Sequence, residues 1–391
     1  MEISSFQNKK AVIVFHEAAT GPAHDLRDFL LSKKIAQLLF ISHPLFYVKS
    51  TRGKTSYYQL YRNGKLVTSS RALFLKLAEP LLYIKDFFYT LFWVNAFAKK
   101  SDWYFGVGNL NAFAGIVLQY AGIVDKTIYY VIDYVPRRFV NRFLNIVYHW
   151  IEKDCALKSN WTWNLSPRMI EGREKKWGIA FSHQLVVPHG VHYKRIRRVP
   201  FEKVNKTEII YMGALLKKQG IQHVILALPY VLKRIPKIKF IVIGDGEYRP
   251  KLEKLVEKLD LVKHVEFLGY VSNHKEVENR IAQAAIAVAM YELKRDNFTY
   301  YTDPGKVRNY LGAGVPVLIT DVPYVAKEIE KNKCGAIVSN DKNVIGKGLI
   351  DFLENRRKLE TYRANALCFA KDYDWDIIFT KTFDLMTKTK D

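Results

Sequence analysis

Residues 208–259 read EIIYMGALLKKQGIQHVILALPYVLKRIPKIKFIVIGDGEYRPKLEKLVEKL. A short apolar run rich in β-branched residues ends in a glycine loop, a helical run follows, and the same order is then repeated. This is the pattern of βα units that build a parallel sheet with helices on both faces. The series continues with HVEFLG, AIAVAM and VPVLIT, separated by helical runs at 274–284, 305–312 and 322–331. Working toward the N-terminus, a basic stretch, HYKRIRRVPFEKVNK (192–206), reads as a linker. Before it a second βα series has strands at AVIVF (11–15), AQLLFIS (36–42), DWYFGVG (102–108), TIYYVID (127–133), TWNLS (162–166) and QLVVP (184–188).

The economical account is an α/β chain of two Rossmann-like doubly wound domains, 1–191 and 207–371, joined at 192–206. The tail after Asn340 reads as helices only. Its last helix (372–391) puts Trp375 and Phe379 on one face and is a candidate to return to the first domain. One departure from the rhythm is YYQLYRNGKLVTSS (57–70), where Asn63-Gly64 between alternating residues signals a type I′ hairpin.

The 391 residues, 49% hydrophobic and 25% charged, exclude a disordered chain or a disulfide miniprotein. Three cysteines without CxxC or zinc-ligand spacing point to a reducing, cytoplasmic setting. The N-terminal MEISSFQNKK reads as an exposed tail, its following apolar run being too short for a signal peptide. Ala72 to Ala98 is interrupted by charges and a proline, so no transmembrane helix is expected. The formal net charge is +23, with +16 of it in residues 1–200. An anionic membrane surface suits that first half, which also carries Arg71-Ala-Leu-Phe-Leu-Lys and Phe87-Phe-Tyr-Thr-Leu-Phe-Trp93. No nucleic-acid recognition module is present.

Ligands of doubly wound sheets bind beyond the carboxyl ends of the strands. The loop Gly213 to Gly220, with Lys217 and Lys218, and the turn Gly244-Asp-Gly-Glu247 are candidates to approach a phosphate closely. The strongest candidate follows AIAVAM: Tyr291, then Asp303, then Pro304-Gly305-Lys306 opening a helix that carries Asn309 and Tyr310. Lys306 there adds a cation where the helix dipole already favours an anion. In the first half, His16, Glu17, Gly21 and His24 follow the first strand, and Asp133 ends a strand facing the same edge; as a bare residue Asp133 reads as an N-cap for the next helix, the commoner use of an aspartate there.

The order GALLKKQG, FIVIGDGEYRPKLEKLVEKL, VEFLGYVS, AIAVAMY and DPGKVRNYLGAGVPVLITD resembles the donor half of GT-B glycosyltransferases. That resemblance implies two Rossmann-like domains facing a cleft and a nucleotide-sugar donor, expected to be a UDP-sugar. It implies donor contacts at Gly213, Lys218, Gly244, Glu247, Tyr291, Lys306, Asn309 and Tyr310, and acceptor contacts at His16 and Gly21. The large retaining family usually has Arg after the first glycine and Lys before the second, where this chain has Ala214 and Gln219; its E-x7-E pair falls on Tyr301 and Asn309. The arrangement of Tyr291, Lys306, Asn309 and Tyr310 is more similar to the xanthan-type glucuronosyltransferases, an inverting group. That similarity implies Asp133 as the base in a reaction without metal, for which neither a DxD motif nor a metal cluster is seen. The acceptor is expected to be a glycan or lipid-linked molecule at the inner membrane face. A retaining transferase and a non-catalytic nucleotide-sugar-binding scaffold are the alternatives.

Overall fold

The computed structural model describes residues 6–17, 21–45, 54–75, 77–292 and 298–388. The chain divides into two compact units, Met1–Pro188 with Ile378–Asp391, and His189–Ile377.

The first unit holds an eight-stranded sheet. Its elements are β1 (Lys10–Glu17), α1 (Pro22–Ser32), β2 (Gln37–Pro44), β3 (Tyr57–Arg62), β4 (Lys65–Arg71), α2 (Glu79–Phe97), β5 (Ser101–Val107), α3 (Asn109–Tyr120), β6 (Val124–Val131), α4 (Arg142–Lys158), β7 (Trp161–Asn164), α5 (Pro167–Trp177) and β8 (Gln184–Val186). The strand order is β4-β3-β2-β1-β5-β6-β7-β8. All neighbours are parallel except β2–β3 and β3–β4. That antiparallel edge is the hairpin read from the sequence. Asn63 (φ 48°) and Gly64 (φ 79°) both take the left-handed conformation that a type I′ turn requires.

The N-terminal stretch is not simply an exposed tail. Residues 1–5 lie outside the described residues, but Phe6 is buried, with its ring 5.9 Å from Phe29 and 5.1 Å from Phe383. An aromatic residue so close to a cluster of rings gains more from burial than the short segment loses in chain entropy.

The second unit contains β9 (Asn205–Met212), α6 (Ile221–Leu232), β10 (Lys239–Ile243), α7 (Arg249–Lys258), β11 (Val265–Gly269), α8 (His274–Gln283), β12 (Ala284–Ala289), α9 (Gly305–Gly312), β13 (Val317–Ile319), α10 (Val325–Lys331), β14 (Gly335–Ile337), α11 (Lys342–Glu354) and α12 (Arg356–Lys371). The order β11-β10-β9-β12-β13-β14 is wholly parallel and reverses direction between β9 and β12. Ligands of such sheets bind at the carboxyl ends beside that reversal. Two apolar cores flank the sheet, one under α8, α9 and α10 and the other under α6, α7 and α11. The basic stretch 192–206 is docked rather than free: Ile196 is buried in the first of these cores, and Val191 pairs with Asp374. A last helix, α13 (Trp375–Lys388), buries Phe379 and Phe383 against Phe29 and Trp163.

Candidate active site

Tight backbone packing builds the floor of the site. Gly213 directly follows β9 at φ +139° and Gly244 directly follows β10 at φ +131°, a region that side chains rarely adopt. The Gly213 N–H donates to the Ile243 carbonyl at 2.9 Å, and a Cβ on Gly244 would lie 2.0 Å from the Gly213 carbonyl oxygen. Gly244→Ala should therefore cost about 2–4 kcal/mol of stability, read as a lowered urea midpoint. Unchanged unfolding would show that the two loops can separate without penalty.

Onto this floor α9 delivers Lys306. Pro304 precedes the helix without a side-chain cap, leaving first-turn N–H groups available to a ligand. The Lys306 ammonium donates to the Tyr211 hydroxyl at 2.9 Å and to Gln219 Oε1 at 2.8 Å. It also lies 4.4 Å from the centre of the Tyr211 ring and 5.6 Å from that of Tyr291. A Cβ on Gly213 would be 2.7 Å from Nζ, so the ammonium rests directly on that glycine.

An ammonium has three N–H donors, and these neutral partners take two. Among the described residues Lys306 has no carboxylate partner within 4 Å. Part of the side chain still reaches solvent, yet desolvation of the head group pulls its pKa down to about 7. An anion arriving here would supply the missing counter-charge.

The other expected donor residues divide by what they touch. Tyr291 is buried, and its hydroxyl has no hydrogen-bond partner among the described residues. The Tyr310 hydroxyl is engaged, accepting from the Met212 N–H at 2.7 Å, so it fixes the end of β9. Asn309 is partly exposed one turn beyond Lys306. Lys218 is exposed, with its ammonium 4.2 Å over the Phe298 ring; its neighbour Gln219 is the residue that reaches Lys306. Glu247 is exposed in the turn after β10, with no ion pair among the described residues.

Three participants are not signalled by motif. Tyr211 is an inward strand residue, Gln219 reads as the place of an absent lysine, and Glu292 directly follows Tyr291. The Glu292 carboxylate accepts from Gln222 at 2.9 Å and lies 3.0 Å from His223 Nε2. His223 sits on α6, far away in sequence.

In the first unit, His16 ends β1 inside a buried network. Asn111 Nδ2 lies 3.1 Å from its Nδ1, and Asp86 Oδ2 lies 3.7 Å from its Nε2. Asp86 is fully buried. It accepts from Ser56 at 2.7 Å, pairs with Lys85 at 2.7 Å and lies 3.5 Å from His43. Burial alone would raise its pKa, but the neighbouring imidazoles of His16 and His43 and the Lys85 ammonium hold it well below the carboxylate range. Gly21 caps α1 in extended backbone, and nothing stands within 4 Å of a Cβ there.

Beside them, Glu17, Ser42, Tyr57 and Arg71 line a cavity of about 550 Å³. Asp133 lies two residues past β6, its side chain 40% exposed and paired with Arg138. It does not cap the next helix: that is Asn141, whose side chain accepts from the Leu144 N–H at 3.1 Å.

Residues 193–367 match the family model of glycosyl transferases group 1. That matched stretch makes up most of the second unit. Alpha-monoglucosyldiacylglycerol synthase of Acholeplasma laidlawii is 26% identical over 164 residues, which are 42% of this chain and 39% of that protein. The chain thus spans under half the length of this curated relative. Sucrose-phosphate synthase from Thermosynechococcus elongatus matches over 97% of this chain and 99% of its own, with TM-score 0.72 and 14% identity. Anabaena HepE in complex with UDP-glucose matches over 97% and 99%, with TM-score 0.71 and 14% identity. The chain has the GT-B fold, and the stretch that matches the family model carries Lys306 beside the reversal of strand order.

Proposed function

We propose that this chain is a glycosyltransferase that takes a sugar from a nucleotide-sugar donor, a UDP-sugar, and passes it to a hydroxyl of a glycan or lipid-linked acceptor. The observation that carries the reading is the Lys306 ammonium, desolvated, without a carboxylate partner among the described residues, and beside the uncapped first turn of α9. It would neutralise the diphosphate as the sugar leaves, the role otherwise given to a metal ion, so no metal is required. Gly213 and Gly244 let backbone approach the phosphates, with Tyr291 and Asn309 beside them, and Lys218 and Glu247 at the exposed rim. The matched group 1 domain and the UDP-glucose complex of a protein of the same fold support a nucleotide-sugar donor.

The first unit would hold the acceptor near His16 and Gly21. The name of the Acholeplasma relative, a diacylglycerol product, and the basic, apolar run 71–93 favour a lipid-borne acceptor at the cytoplasmic membrane face. Asp133 is the base in an inverting transfer. Retaining transfer is the second reading, favoured by the α-product in the same relative's name. Titration calorimetry with UDP-glucose in EDTA decides the donor half. Micromolar binding is expected (about −8 kcal/mol); no heat with any UDP-sugar, or a strict need for magnesium, would refute it. The anomeric configuration of the product, read by NMR, separates the two stereochemical readings.

A further inference from the structure

Helix α4 is built inside out. Its buried residues include His149 and Glu152, with His149 Nδ1 2.9 Å from Glu152 Oε2 and Arg173 donating to Glu152 Oε1 at 3.3 Å. This network sets the rotation of the helix. With 149, 152 and 156 turned inward, Phe143 (70% exposed), Ile146 and Trp150 (57%) form an outward stripe at i, i+3 and i+7. The buried His149–Glu152–Arg173 group is partnered, whereas nothing among the described residues covers the apolar face.

A second stripe lies in the same helical layer. Helix α3 packs between α2 and α4, and α2 presents Leu81, Ile84, Phe88 (62%) and Phe92 (63%) outward, at i, i+3, i+7 and i+11. The coil leading into α2 adds exposed Leu73, Phe74, Leu75 and Leu77. Apolar patches of this extent mark an interaction surface.

Charge identifies the partner. Among the described side chains of α2, α3 and α4, Asp86 and Glu152 are buried and Asp154 is paired with Lys158 at 2.8 Å. Arg71, Lys99, Lys100, Arg137, Arg142 and Lys158 are exposed on the layer and its flanks, against one exposed acid there, Asp125 after α3. Phe, Trp and Leu stripes framed by Arg and Lys fit the headgroup region of an anionic bilayer, with apolar groups in the acyl boundary and cations at the phosphates. No helix among the described residues is long and apolar enough to cross a membrane, so the contact lies on the surface.

We propose that the α2–α3–α4 layer docks the first unit on an anionic lipid surface, with Phe143 and Trp150 of α4 and Phe88 and Phe92 of α2 as its anchors. This deepens the reading of a lipid-borne acceptor, and its test does not depend on turnover. The full chain is floated with phosphatidylcholine vesicles containing about one-third phosphatidylglycerol, and with phosphatidylcholine alone, at low and high salt. The wild type should float with the anionic vesicles and detach as salt rises.

Phe143→Ser with Trp150→Ser should lower the partition coefficient about tenfold or more, and so should Phe88→Ser with Phe92→Ser. All four side chains are exposed, so circular dichroism should be unchanged. Wild-type partitioning by both double variants, or no flotation of the wild type, overturns the proposal. So does a wild-type dimer that the same substitutions dissociate, because a second copy then covers the face. UDP titration of the same samples keeps the questions apart: flotation without nucleotide binding would remove the transferase reading and leave the docking surface standing.

Discussion

Lys306→Met should weaken UDP binding by about 100-fold or more while changing the affinity for uridine little, and should stabilise the unliganded protein at neutral pH. The two effects have one origin. The side chain is desolvated and its partners among the described residues are neutral, so its pKa falls from 10.5 to about 7. The folded state therefore binds fewer protons than the unfolded state between about pH 7 and 10.5, and stability contributed by this site rises with pH across that window. The burial penalty is fully present below pH 7, where methionine removes it. A diphosphate reverses the preference by favouring the charged form.

Binding of a UDP-sugar, whose diphosphate does not titrate near neutrality, should then take up about one proton at pH 8 and almost none at pH 6. Affinity should fall as pH rises above about 7, by at most about tenfold per unit. Calorimetry in buffers of different ionisation enthalpy counts the protons. Equal losses for UDP and uridine in the variant, or no proton uptake at pH 8, would take Lys306 out of the diphosphate site.

The second large effect is expected at Asp133. Asp133→Asn should lower turnover by about 10²–10⁴-fold, the usual worth of a positioned general base, with donor affinity unchanged. Its carboxylate is accessible at 40% exposure and is held by Arg138, and the helix-capping role that an aspartate often fills at such a place is taken by Asn141. His16 is a weaker base candidate despite its place at the end of β1, because Asn111 and Asp86 stand against its two nitrogens. Initial rates with a fixed donor and an acceptor panel measure the effect. Turnover retained by Asp133→Asn, with a product that keeps the donor's anomeric configuration, would establish the retaining reading instead.

The second sheet is legible because its first five strands are short apolar runs, most of them rich in β-branched residues, and the first three close on Gly213, Gly244 and Gly269. Strand β14 escapes that pattern, since Gly-Ala-Ile at 335–337 has only one β-branched residue and owes its place to pairing with β13. The hairpin at Asn63-Gly64 is fixed by two adjacent positive φ angles, a local demand that the dipeptide announces. Lys306 is visible as a cation at a helix start. Its charge state is not, because Tyr211 and Gln219, which surround it, belong to segments 95 and 87 residues away. Gln219 looks like a lost cation in one dimension and is the acceptor for the surviving one in three. The same limit hides the His16–Asp86 network, in which an aspartate inside an aromatic helix meets a strand end across the sheet. It also hides the outward face of α4, whose rotation is set by Arg173 from the next helix.

The most direct test is calorimetric titration of UDP and of uridine into the full chain at pH 7 in EDTA. Micromolar binding of UDP is expected, with at least about a 100-fold weaker interaction with uridine and no such difference in Lys306→Met. UDP and uridine binding alike, or a UDP affinity that Lys306→Met leaves intact, would contradict it.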